Sequence, residues 1–139
     1  MNDLRPIICF TMLFATLGCA LVNSAGGGNS LAPVRSLTLT IDKGQREELF
    51  DRLQKFSEKH AFEFRLTDFN TNGERFQFWM SREDVYITAS DVPPDPALVY
   101  IFFYIYPGSS IDEESVDKLL IDLKSYIGEI PNVTITEEK

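Results

Sequence analysis

The chain has 139 residues and a formal net charge of −8, from 13 basic and 21 acidic side chains. This length fits one folded domain with additional segments, and the acidic balance works against binding to nucleic acid or to an anionic membrane surface. One histidine and two cysteines leave little material for a catalytic triad, a metal cluster or a disulfide framework. We therefore predict a protein that is not an enzyme and that has no catalytic residue, metal or cofactor.

The N-terminal segment has the pattern of a secretory signal. Residues 1–5 are short and polar, and residues 6–22 are apolar apart from two threonines and a glycine. Such an apolar run is short for a membrane span and fits the hydrophobic part of a signal peptide.

A cysteine at the end of this segment gives it a more specific interpretation. Thr16-Leu17-Gly18-Cys19 resembles the lipobox of bacterial lipoproteins, in which a small residue precedes a cysteine that is diacylated before cleavage. Leucine is usual three residues before that cysteine, where this chain has Thr16. The resemblance implies a signal peptide over 1–18, lipidation of Cys19 and a membrane-anchored place in the cell envelope. Because Ala20 follows, it also implies the outer membrane facing the periplasm in a Gram-negative host.

The rest of the N-terminal region agrees with a lipid anchor. Cleavage before Cys19 removes Cys9, so the mature chain keeps one thiol and forms no disulfide within the chain. Residues 24–30 are rich in glycine and serine, as flexible tethers are, so we assign 19–34 to the anchor and tether. Ordinary signal cleavage near residues 22–25, which gives a secreted protein, and an uncleaved signal anchor are the alternatives.

The folded domain, over 35–139, opens with a strand and a helix. Residues 35–41 alternate apolar and polar side chains, which predicts a half-buried strand. Asp42 and Gln45 have the spacing of a capping box at the start of a helix that runs to about Lys59. The helix carries an apolar stripe made of Leu49, Phe50, Leu53 and Phe56.

Four strands follow in succession. Alternation predicts strands over 62–67, 75–80 and 85–90, with a turn at 70–73 between the first two. A proline-rich loop over 91–97 then precedes residues 98–106, which contain no charge and are rich in β-branched and aromatic side chains. That run predicts a central strand buried on both faces. Short connections make these four strands an antiparallel meander.

A second helix and a last strand complete the domain. Ser110 and Glu113 form a predicted capping box, Gly128 suits a left-handed C-terminal glycine, and residues 133–136 read as an edge strand. The resulting order is β-α-β-β-β-β-α-β. Each helix has one apolar stripe, so we predict a two-layer α+β sandwich with a mostly antiparallel sheet and both helices on one face. It is similar to a ferredoxin-like fold with an added hairpin.

The strand positions that point away from the helices are unusually aromatic. Most carry threonine, glutamine or charged side chains, as a solvated face should, but one tryptophan, three tyrosines and a phenylalanine share this face with an arginine. Exposed aromatic patches mark contact sites, and tryptophan, tyrosine and arginine are enriched at binding hot spots. Structural cross-strand packing, a protein or self-association surface, and a small-ligand or glycan platform are the three interpretations. The candidate binding residues are Arg65, Trp79, Tyr86, Tyr100, Phe102 and Tyr104.

Chemistry-bearing residues elsewhere are few. His60 follows the first helix, where a capping role is the simpler interpretation, and Asp91 and Asp95 flank two prolines as a possible pair of loop carboxylates. We therefore predict a lipid-anchored envelope protein with a non-enzymatic protein-binding or accessory domain. A small secreted hydrolase using loop carboxylates and an immunity protein that inhibits a toxin are the alternatives.

Overall fold

The computed structural model describes residues 31–68, 75–92 and 95–138; the signal segment, Cys19 and most of the predicted tether lie outside them. A short 3-10 turn, Lys43–Gln45, precedes the first helix. The strands are β1 (Arg35–Thr40), β2 (Glu63–Asp68), β3 (Phe76–Ser81), β4 (Val85–Val92), β5 (Asp95–Ile105) and β6 (Thr134–Glu138), and the helices are α1 (Arg46–Lys59) and α2 (Glu113–Gly128).

The strands form one six-stranded sheet in the order β2-β3-β4-β5-β1-β6, and every neighbouring pair is antiparallel. The predicted element order, the meander of β2 to β5 and the edge position of β6 are confirmed. β5 lies in the interior of the sheet, as its uncharged sequence predicts. With β2 and β3 set aside, β1-α1-β4-β5-α2-β6 has the split βαβ connectivity of ferredoxin-like domains.

The core lies between one face of the sheet and both helices, which confirms the two-layer arrangement. Alternate residues of β1, β3, β4 and β5 point to this inner face, because side chains alternate along a strand. The stripes of α1 and α2 pack against them, and each large apolar side chain stabilises the fold by about 1.5–3 kcal/mol through burial. Fully buried residues include Leu37, Leu39, Leu53, Phe56, Phe78, Met80, Ile87, Ile101, Phe103 and Leu123.

One prediction about β5 is wrong in part. Val99, Ile101 and Phe103 are fully buried on the inner face, but Tyr100 and Phe102 on the other face are only half-buried. The second face of β5 is therefore a surface and not a second core.

The ends of α2 differ from the predicted ones. Asp112 is the N-cap, and its carboxylate accepts a hydrogen bond from the Ser115 N–H at 2.8 Å. The predicted cap was Ser110, two residues earlier. Asp112 takes that role instead, and the side chains of both residues are suited to it. Gly128 ends the helix without a positive φ, and the left-handed conformation falls instead on Asn132, at φ 59°.

The start of α1 also differs, whereas its end agrees with the sequence. Asp42 makes no side-chain capping bond, because the 3-10 turn separates it from the helix proper. His60 is the C-cap residue, and its N–H donates to the carbonyl of Phe56.

Charged side chains join the helices to each other and to the sheet. Arg35 of β1 lies 2.6 Å from Asp117 of α2, and the His60 ring lies 2.6 Å from Asp122 of α2. Lys59 binds the same Asp122 carboxylate at 2.8 Å. The hydrogen bond from Lys59, followed by that from His60, holds the pKa of Asp122 below its ordinary range.

We predict that Asp122→Asn lowers the free energy of unfolding by about 1 kcal/mol at neutral pH, because the contact between α1 and α2 loses its charge. The pKa of Asp122 is lowered in the folded chain, so its stabilisation is present above the ordinary pKa and is lost as the pH falls through the lowered value. Urea unfolding from pH 7 to pH 3 measures this. The difference between wild type and variant should shrink below about pH 4.

Asp51→Asn is the matched control. Asp51 pairs with Lys55 within α1 and is 58% exposed, so this variant should lose only a few tenths of a kcal/mol. A difference for Asp122→Asn that persists unchanged to pH 3 would contradict the role given to its charge.

Candidate binding face

The outer face consists of the strand side chains that point away from both helices, and the sheet register arranges them in rows. One row crosses all six strands through paired neighbours, so its members are side-chain neighbours across the sheet. In strand order from β2 to β6 it reads Arg65, Trp79, Thr88, Phe102, Ser36 and Glu138. The next row reads Thr67, Gln77, Ser90, Tyr100, Thr38 and Thr136.

Aromatic rings form a continuous ladder along the middle of this face. The ring centroids of Tyr100 and Phe102 lie 6.2 Å apart, and those of Phe102 and Tyr104 lie 6.4 Å apart. Tyr104 then stacks on Tyr86 of β4 at 4.4 Å, with the ring planes 5° from parallel. Tyr106, which was not among the candidate residues, extends the ladder at 5.0 Å from Tyr86. Its spacing of two residues from Tyr104 in the sequence could have predicted that it lies on the same face.

Trp79 lies one strand away from this ladder, beside Thr88, and is 38% exposed. Arg65 is its cross-strand neighbour on β2 and is ion-paired with Glu63 at 2.6 Å. Tyr86 is half-buried, and burial raises the pKa of its phenol. The six candidate residues therefore share one surface, although Arg65 and Trp79 lie to one side of the ring ladder.

The outer face is nearly neutral within an acidic protein. Apart from the irregular end where Val92 pairs with Asp95, its charged side chains on the described strands are Glu63, Arg65 and Glu138, a net charge of −1 against −8 for the whole chain. Interfaces between proteins are depleted of lysine, glutamate and aspartate and enriched in aromatic residues and arginine. The outer face has that composition.

The stacking within the ladder limits the ring faces that a ligand can reach. A sugar ring stacks on a free aromatic face, but the facing sides of Tyr86 and Tyr104 already cover each other at 4.4 Å. Tyr100 and Phe102 are likewise near parallel, 11° apart. Rings that stand side by side present their edges outward, and ring edges make favourable contacts with the faces of other rings.

The two aspartates of the hydrolase hypothesis lie in strands, so their predicted place in a loop is wrong. Asp91 belongs to β4, is 6% exposed and lies 3.7 Å from the guanidinium of Arg46, which is 5% exposed. Its other oxygen accepts a hydrogen bond from the Phe76 N–H at 3.3 Å, and Arg46 stacks over the Phe76 ring. Asp95 begins β5, is exposed and accepts from Ala97. Asp91 therefore has a structural role at the end of the core.

Other chemistry is sparse in the part of the chain that the structure describes. The His60 ring is held by Asp122, and no group of three histidine, cysteine, aspartate or glutamate side chains could hold a metal ion there. Of the helices in the described residues, α1 has 14 residues and α2 has 16, and neither meets the length and hydrophobicity of a membrane span. A cleft of about 560 Å³ lies between β1, α2 and β6, and the Arg35–Asp117 ion pair occupies its wall.

No protein-family model matches this chain, and no curated protein sequence matches it.

We predict that Asp91→Asn lowers the free energy of unfolding by about 3 kcal/mol, because it removes a buried negative charge that lies 3.7 Å from the buried Arg46 guanidinium. Asp95→Asn is the matched control and should change stability by less than about 0.5 kcal/mol. Chemical denaturation of both variants measures the contrast. Equal effects of the two substitutions would show that the Arg46–Asp91 contact does not hold this end of the core.

Proposed function

We propose that this protein is a lipid-anchored component of the bacterial cell envelope whose domain binds another protein through the outer face. The anchor is Cys19, which places the domain at a membrane, facing the periplasm at the outer membrane in a Gram-negative host. The domain acts without catalysis. Its partner presents a neutral surface rich in aromatic and hydroxyl groups, because a strongly basic or acidic surface finds little charge to pair with on the outer face.

One observation carries the proposal: the aromatic ladder and Trp79 lie on a nearly neutral face opposite both helices. The two helices already fill the inner face, and no helix among the described residues packs on the outer one. Half-buried tyrosines lose little conformational entropy on binding, since the rings are already ordered by their neighbours. Such a pre-ordered surface suits protein recognition.

The hydrolase alternative loses support from the structure. A pair of catalytic carboxylates has to reach substrate, but Asp91 is buried and lies in an ion pair with Arg46. An immunity protein against a toxin remains compatible with protein binding, and the outer face would then be its contact surface.

We predict that Tyr100→Ser combined with Tyr104→Ser abolishes binding through the outer face while the domain still folds. Lost ring contacts should lower the free energy of unfolding by about 2 kcal/mol. A photo-crosslinking amino acid at position 79 of the full chain, expressed in its host, measures the contact. Crosslinked complexes should form at position 79 and disappear in the double variant.

The control places the same crosslinker at Glu114, which is exposed on α2. Equal yields of crosslinked complexes from positions 79 and 114 would show that partners do not contact the outer face in preference to α2. Unfolding of the double variant would show that the face belongs to the core, which would overturn the proposal.

We predict that Cys19→Ala releases the protein from the membrane fraction, because each acyl chain contributes about 0.8 kcal/mol per buried methylene. Mass spectrometry of the native N-terminus should find an acylated Cys19 as the first residue. Cys9→Ala is the control and should leave acylation unchanged. A mature chain that begins near residues 22–25 would contradict the anchor and leave a secreted protein.

A further inference from the structure

The pattern of large and small side chains on the outer face is complementary to itself. We infer that the partner of the outer face is a second copy of this chain, packed face to face about a two-fold axis that runs along the strands between β4 and β5. This inference rests on the proposed function, because it names the partner for the same face.

The sheet order fixes which strands meet in such a pair. The axis lies at the centre of the order β2-β3-β4-β5-β1-β6, so β5 of one copy lies over β4 of its partner. By the same symmetry β3 lies over β1, and β2 lies over β6. Sheets that pack in this way are about 10 Å apart, with side chains of the two faces interdigitated.

The first row then pairs unlike residues at every position. It reads Arg65, Trp79, Thr88, Phe102, Ser36, Glu138 across the sheet, and the two-fold axis reverses it. Phe102 meets Thr88 of the second copy, and Trp79 meets Ser36. The terminal arginine meets the terminal glutamate. Large side chains thus face small ones, and opposite charges face each other at the rim.

The second row repeats the pattern at its centre. Tyr100 meets Ser90 of the second copy, and Gln77 meets Thr38. At the end of the sheet, Tyr86 meets Tyr104, so that rings contact rings there. A two-fold interface requires a patch that complements itself, and these rows meet that condition.

Charge also favours a second copy over a charged partner. Each outer face has a net charge of −1, so two of them meet with little direct repulsion. The remaining negative charge of each chain lies outside the contact and repels through solvent, where salt screens it. Self-association of this kind therefore tightens as salt is raised, whereas binding of a basic partner weakens.

The strand direction lets both copies share one membrane. β1 begins at Arg35, and a two-fold axis along the strands puts Arg35 of both copies at the same end of the pair. The fifteen residues between Cys19 and Arg35 can span at most about 50 Å. Both tethers therefore start from the same end of the pair, and each is long enough for its lipid anchor to enter one shared bilayer.

Sedimentation equilibrium of the full chain in density-matched zwitterionic detergent tests the inference. Wild type should form dimers, and high salt should tighten them. Thr88→Tyr fills the space that receives Phe102 of the second copy, so it should raise the dissociation constant about tenfold or more. The variant should still fold, because tyrosine is favoured in strands. Ile121→Tyr is the control, because Ile121 is 66% exposed on α2, on the side of the sheet opposite the outer face, and this variant should leave the constant unchanged.

Rim charges give a second test that cannot fail through misfolding of the core. R65E and E138R should each weaken the dimer about threefold, and the double variant R65E/E138R should restore it. A mixture of the two single variants should form heterodimers more tightly than either forms homodimers.

A wild-type monomer at all concentrations would overturn self-pairing. The proposed function would then stand or fall on the crosslinks from position 79. Dimers that Thr88→Tyr leaves intact, or single charge reversals that the double variant does not rescue, would also overturn the inference by placing the contact on another face.

Discussion

The number of helices available to cover the sheet constrains the whole structure. Six strands spaced about 4.8 Å apart form a sheet about 24 Å wide, and two helices of about 10 Å diameter cover slightly less than one face of it. Both helices lie on the inner face, where Phe78, Ile101 and Phe103 are fully buried. Even there, Leu66 on edge strand β2 remains 44% exposed. No helix among the described residues is left to cover the outer face, so its aromatic side chains pack on each other.

This constraint explains how the sequence yields the architecture and where it stops. Period-two alternation and the two helical stripes were sufficient for the element order and the layers, because burial on one side leaves a clear pattern. The side-chain neighbours across strands were not predictable. That Phe102 lies between Thr88 and Ser36 depends on the register of three strands, which local patterns do not determine.

Local signals failed where two residues could fill one role or where a distant residue intervened. Ser110 and Asp112 are both good helix caps, and the helix uses the later one, Asp112. Asp91 beside Pro93 and Pro94 reads as a loop residue in the sequence. In the structure Asp91 is a buried residue of β4, and its charge is paired with that of Arg46, which lies 45 positions earlier in the chain. Contacts of that kind are tertiary, so a single sequence does not reveal them.

If the outer face is a binding surface, a partner covers it in the cell. The chain contains a natural fluorescent probe of that covering. Trp79 is the only tryptophan in the sequence and lies on this face. Acrylamide quenching of its fluorescence in the full chain, measured against protein concentration in detergent, follows the exposure of that ring directly. We predict that quenching falls and the emission shifts to shorter wavelength as the concentration rises. Quenching that is independent of concentration, and unchanged in native membranes, would contradict it.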